Sequence, residues 1–266
     1  MIQRWSKHNG YRDVLTISLP LVASMGSITL MQFTDRIFLA NYSVEAIAAA
    51  LPAGVASFTC LAFFMGVANY TNAFVAQYTG AKALSRVGAA LWQGIYLSLF
   101  SAILLATLFF VSDELFALIG HSPSIQALEI TYFNILILGA GLIVLNSAMA
   151  CFYTGRGLTW VVMFVNMAGA AVNIPLDYCL INGVGPFPRL GIVGAGIATV
   201  TGCMDIGIIL LRFVAVFCLF DALNLVFSGA LKGAGDTRFI MWTVAGLSLG
   251  VMILPVYVAV EVLGAG

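Results

Sequence analysis

The chain has 266 residues, 62% of them hydrophobic and only 8% charged, with acidic and basic residues in equal number. So apolar a composition, with a mean hydropathy of +1.05, excludes a soluble domain, and the apolar runs are too long for core strands. Zero formal net charge without a basic cluster excludes nucleic acid as a partner, because phosphates demand such a cluster. The chain is expected to be all-α, a polytopic helical membrane protein.

Candidate spans fall at about 13–40, 45–79, 86–112, 124–153, 158–182, 190–210, 211–231 and 237–262, each long enough to cross a bilayer. The polar start, MIQRWSKHNGYRD, leads into a span-length segment rather than a short apolar one, so no cleavable signal peptide is expected. Arg4, Lys7 and Arg12 precede the first span, Lys82 and Arg86 lie in the second loop and Arg156 in the fourth, whereas the alternate loops carry only Arg189. Arg36 sits at the outer end of the first span. The positive-inside bias therefore places the N-terminus in the cytoplasm. Pro20 lies within the first span, where a missing backbone hydrogen bond permits either a static kink or a functional bend. The five cysteines lie in apolar stretches without metal-ligand or disulfide spacing and read as small buried hydrophobes. Aromatic and Met side chains such as Phe33, Phe63, Phe64, Met65 and Phe152 could line a drug-binding face, but most suit packing or lipid contact.

Four polar residues stand out inside these helices: Asp35, Asn173, Asp177 and Thr199. A carboxylate at mid-membrane costs about 2.5–3.5 kcal/mol on insertion scales, so such groups face a partner or a wet path. Asn173 and Asp177 are four residues apart and share one helix face. Asp35 and Asp177 each lie about five residues from an outer helix end, roughly 7 Å deep, with Asn173 and Thr199 somewhat deeper. The four can share one level in the outer half of the bundle. Two close carboxylates would titrate as a coupled pair, and a proton or a sodium ion suits them equally, with Asn173 and Thr199 adding neutral oxygens. The bland alternative is helix–helix hydrogen bonding, worth about 0.6 kcal/mol on average in membranes.

An internal repeat aligns Leu145, Asn146, Gly155, Gly157, Thr159 and Met163 with Leu223, Asn224, Gly233, Gly235, Thr237 and Met241, so the loops GRGLT and GAGDT correspond. Residues 190–231 form about 42 mostly apolar residues, about 63 Å as a single helix and twice the hydrocarbon core. A turn between Asp205 and Arg212 is therefore expected, giving eight crossings with the GAGDT loop outside.

The segments PLVASMGSITLMQFTDRIFLA, VNIPLDYCLI and LGIVGAGIATV resemble the first, fifth and sixth helices of the multidrug and toxic compound extrusion family, over about residues 10–202. Members are cation-coupled antiporters that expel small organic, often cationic, compounds using a proton or sodium gradient. The resemblance implies a cation site at Asp35, Asn173, Asp177 and Thr199, with Na+ or H+ as coupling ion and no cofactor, and a bending proline at Pro20. It also implies location in a bacterial inner (plasma) membrane. Residues 1–202 then form a six-helix lobe, and residues 203–266 resemble only the tenth and eleventh helices of the second lobe, where Asp221 matches an acidic position. The family has twelve helices around a central cleft, so the chain is expected to be internally truncated and unable to transport alone. A non-transporting remnant or sensor is the alternative. Gly233-Ala234-Gly235-Asp236 also matches a GxGD pattern of intramembrane aspartyl proteases. However, its aspartate falls in a loop beside Lys232 and Arg238, and no enzyme is expected.

Overall fold

The computed structural model describes residues 11–233, excluding the side chains at 11, 13, 213 and 216–233. The side chain of Asp221, the loop residues through Thr237 and the expected span 237–262 lie outside the described residues, as does Asp236. Two compact units emerge, Met1–Arg212 and Phe213–Gly266. All described secondary structure is helical, and apolar side chains dominate it because only a helix closes its own backbone hydrogen bonds in lipid.

The helices are α1 (Tyr11–Tyr42), α2 (Val44–Gly80), α3 (Leu84–Ala106), the short α4 (Ser112–Ala117), α5 (Pro123–Leu138), α6 (Ala140–Gly155), α7 (Thr159–Asn182) and α8 (Ile192–Gly233). A tighter 3-10 turn, Thr107–Val111, joins α3 to α4. Five described stretches are long and apolar enough to cross a membrane, or six if α5 and α6 form one broken span. These correspond to the first six spans expected from the sequence, and the chain is an integral membrane protein.

The expected fourth span is two helices, bent by 43° where Gly139 separates α5 from α6. Two elements around the break continue the chain without a loop: Gly139 N–H donates to Ile135 O at 3.2 Å, and Leu142 N–H donates to Gly139 O at 3.0 Å. α1, by contrast, stays helical through Pro20.

The expected turn between Asp205 and Arg212 is absent. α8 runs as one helix of 42 residues through that stretch. The physical reason is local. Residues 203–212 contain no proline and one glycine, and a lone glycine costs only about 1 kcal/mol in a helix. A turn there would strip several amides of partners, at several kcal/mol each in lipid.

Within the first unit α1 packs chiefly on α7, while α2 packs on α6, α5 and α3. Ser24 Oγ accepts from Asn166 Nδ2 at 2.6 Å, and further along the same pair Phe38 meets Tyr178 edge-on at 5.3 Å. Residue numbers rise together along both contacts, so α1 and α7 run parallel. α8 returns antiparallel to α7, since Asn173 bonds Ala198 whereas Gly194 lies on Leu180. Leu39, Ala50, Phe116, Phe133, Ile137 and Ala148 belong to the core between them. Of the aromatic and Met candidates, Phe64 and Phe152 are buried and Met65 is half-buried, whereas Phe33 and Phe63 are exposed. Cys60, Cys151, Cys179 and Cys203 carry free thiols.

Candidate cation site

Asp35 lies near the end of α1 and Asp177 near the end of α7, and the parallel packing of these helices sets them side by side. Their carboxyls meet at hydrogen-bonding separation. Both are buried, at 8% and 1% exposure. Each nevertheless keeps one oxygen, Oδ1, buried with no hydrogen-bond partner among the described residues.

Asn173, one turn back on α7 and also buried, donates from Nδ2 to the carbonyl of Ala198 at 2.9 Å. That approach depends on Gly202. A Cβ there would lie 3.1 Å from Asn173 Nδ2, tighter than ordinary packing. Thr199, next to Ala198 on α8, donates its hydroxyl to Ala195 O at 2.9 Å, which leaves its oxygen free to accept. Tyr132 of α5 places its hydroxyl beside Thr199 and within electrostatic reach of both aspartates.

The four residues singled out by sequence therefore gather around one α1–α7–α8 junction. Asn173 is tied to α8 through Ala198, and Thr199 is the next residue on that helix. Pro20 is half-buried four turns below Asp35, away from the carboxyl pair.

Two contributors were missed. Tyr132 is 3% exposed and carries no charge, and tyrosine is common in apolar helices, so nothing in its one-dimensional context marks it. Arg36 was taken only as a topology marker. Its guanidinium lies within electrostatic reach of Asp35 and Tyr132, yet it forms no ion pair among the described residues. Its Nη2 rests against Gly54 of α2, 3.1 Å from where a Cβ would stand.

The outer end is covered. The chain after α7 folds back so that Leu190 N–H donates to Leu180 O at 2.9 Å, and Arg189 stacks on the Tyr42 ring at 4.8 Å. A second buried carboxylate, Glu129 of α5, sits apart from this site, its Oε1 2.6 Å from Nδ1 of His121.

The family model named MatE matches residues 20–179, a stretch that holds α2 to α6 whole and both aspartates. This chain belongs to the MatE family. The bundle also superposes on a transporter of the MOP superfamily from Pyrococcus furiosus with a TM-score of 0.68 at 24% identity, covering 76% of this chain and 44% of that one. Curated relatives include the probable multidrug resistance protein NorM of Listeria monocytogenes, 28% identical over 86% of this chain and 49% of its own length. The probable multidrug resistance protein NorM of Burkholderia pseudomallei is 29% identical over 70% of this chain and 40% of its own length. The chain thus spans about half the length of the curated relatives it matches, or somewhat less. The MatE match gives no support to the aspartyl-protease reading.

Proposed function

We propose that this MatE chain carries the coupling-ion site of a multidrug efflux antiporter, with Asp35 and Asp177 exchanging H+ or Na+. The observation that supports it most is the pair of orphaned Oδ1 atoms on two touching, buried carboxyls. Two carboxylates at that separation are compatible with a shared proton or a cation between them. Thr199 and Asn173 supply neutral oxygens suited to a hard ion, and the bond to Ala195 O orients the Thr199 hydroxyl. With both aspartates ionised, Asp35, Asp177 and Arg36 together leave one excess negative charge. A single H+ or Na+ neutralises it, so one ion is exchanged per cycle.

The exported substrates are small organic, cationic compounds, and the bilayer is a bacterial plasma membrane with the N-terminus on the cytoplasmic side. Pro20 lets α1 bend as the ion is exchanged. Residues 1–202 form the ion-binding lobe, and Asp221 is the candidate acidic position of the second lobe. Alternating access needs one lobe to move against another. A monomer of these 266 residues therefore binds the ion without completing the cycle.

The test is ion-dependent stabilisation of the purified chain. Raising sodium, or lowering pH, should raise the melting temperature of the wild type by the linkage of binding to folding. Asp35→Asn and Asp177→Asn should abolish that rise. An unchanged ion response in both variants would refute the assignment. In proteoliposomes, gradient-driven efflux of a fluorescent cationic dye should be absent for the monomer and is the measure of transport itself.

A further inference from the structure

At the opposite end of the bundle a groove of about 600 Å³ opens between α2 and α3. Its floor is made of small residues. Gly94 cannot carry a side chain, because a Cβ would lie 2.8 Å from Ala148 and 3.3 Å from Thr71 Oγ1, and Ala89 and Ala90 continue the same face. One wall is a ladder of rings on α2. Tyr70 and Phe74 lie 5.9 Å apart, Phe74 and Tyr78 stack at 6.3 Å with planes within 19°, and the guanidinium of Arg86 sits 5.8 Å over Tyr78. Tyr70, Phe74 and Arg86 are exposed.

This arrangement is graded along the helix axis. Tyr70 to Tyr78 spans about 12 Å of apolar wall. At its end Tyr78 is two residues from the end of α2, and Arg86 lies in the first turn of α3. Lys82 stands in the connection between them, and Arg156 lies in the connection between α6 and α7 at the same end. Among the described residues Arg86 makes no ion pair, and its exposed guanidinium stands at the rim of an apolar cleft. Apolar surface at membrane depth with an unpaired guanidinium at the rim complements one chemistry: an acyl chain joined to an anionic phosphate. Basic pockets between spans recognise lipid headgroups on this basis, and Arg offers a phosphate two parallel hydrogen bonds.

We propose that the α2–α3 groove is a binding site for an anionic phospholipid, with one acyl chain along Tyr70, Phe74 and Tyr78 and the phosphate on Arg86. This rests on the chain's membrane nature and not on the ion-coupling reading. Under the positive-inside orientation the site faces the inner leaflet.

The experiment is native mass spectrometry of the full 266-residue chain, released from mild detergent with equal amounts of phosphatidylglycerol and phosphatidylcholine. Wild-type protein should retain phosphatidylglycerol about fivefold better. Arg86→Gln should erase that preference while the melting temperature stays unchanged, and Arg86→Lys should keep most of it. Phe74→Ala should lower retention of both lipids. Equal retention by wild type, or a preference that survives Arg86→Gln, overturns the proposal. So does glycerol phosphate that blocks the site as well as the whole lipid, which would make it a free-anion site. Disulfide-linked dimers of a Phe74→Cys variant, formed with loss of lipid adducts, would assign the face to a second copy of the chain and also overturn it.

Discussion

The bundle buries carboxylates in two places, and they are built differently. Glu129 is fully buried, and His121 reaches in from the connection before α5 to meet its Oε1 at 2.6 Å. Asp35 and Asp177 have no such partner. They have each other, with Arg36 nearby but turned toward α2. Glu129 has an imidazole against one oxygen, although its Oε2, like the two Oδ1 atoms, has no hydrogen-bond partner among the described residues. Under the proposed function, the second place takes its positive charge from the exchanged ion. What differs between the two places is the contact: an imidazole on Glu129, and no cationic side chain touching Asp35 or Asp177 among the described residues.

The sharpest way to break this contrast is to neutralise one carboxyl at each place. Asp177→Asn should remove the ion-dependent rise in melting temperature entirely, while the ion-free protein melts no lower than wild type, because an unpaired buried charge has been removed. Glu129→Gln should leave the ion response intact. Loss of the response in Glu129→Gln would merge the two places into one network.

A second test is an asymmetry within the His121–Glu129 pair. His121→Ala leaves the buried Glu129 without its hydrogen-bond partner and should cost about 1–2 kcal/mol, read from denaturant or thermal melts. Combining it with Glu129→Gln should recover most of that loss, since the stranded charge disappears. Equal costs for the single and double variants would mean the pair is not held by charge.

Smaller effects should separate the neutral members of the aspartate site. Asn173→Ala removes the tie to Ala198 and should cost about 1 kcal/mol, within the range found for interhelical hydrogen bonds, together with a several-fold loss in apparent ion affinity. Tyr132→Phe deletes one hydroxyl in place. It should cost about 0.6 kcal/mol in stability and shift ion affinity by less than Asn173→Ala does. A larger effect for Tyr132→Phe would make the tyrosine an ion ligand rather than a neighbour of the site.

What could be read from the sequence follows from cost. Asp35 and Asp177 announced themselves because a carboxylate in an apolar helix is expensive, and Asn173 because it sits one turn from Asp177. The helices themselves were legible because apolar runs of span length have few other fates. Tyr132 was not, because a tyrosine is at home in lipid-facing, packed and functional positions alike, and only the fold shows its hydroxyl beside Thr199. Glu129 lies inside an expected span, yet its pairing with His121 depends on how the connection before α5 folds back. The break at Gly139 was hidden because its neighbours are as apolar as the rest of the span. The turn expected near Asp205 came from matching length to bilayer thickness. Local hydrogen bonding outweighed it, since nothing between residues 203 and 212 stops a helix.

The parallel seating of α1 on α7 behaves like a vernier. Ser24 with Asn166 and Asp35 with Asp177 have the same separation along the chain, so both contacts align in one setting of the two rods. Sliding α1 by a single turn, about 5.4 Å, misaligns both together, and no intermediate setting restores either. Displacement of this helix is thus a step and not a drift: small thermal excursions are rejected, and only a push that overcomes two distant contacts at once moves it.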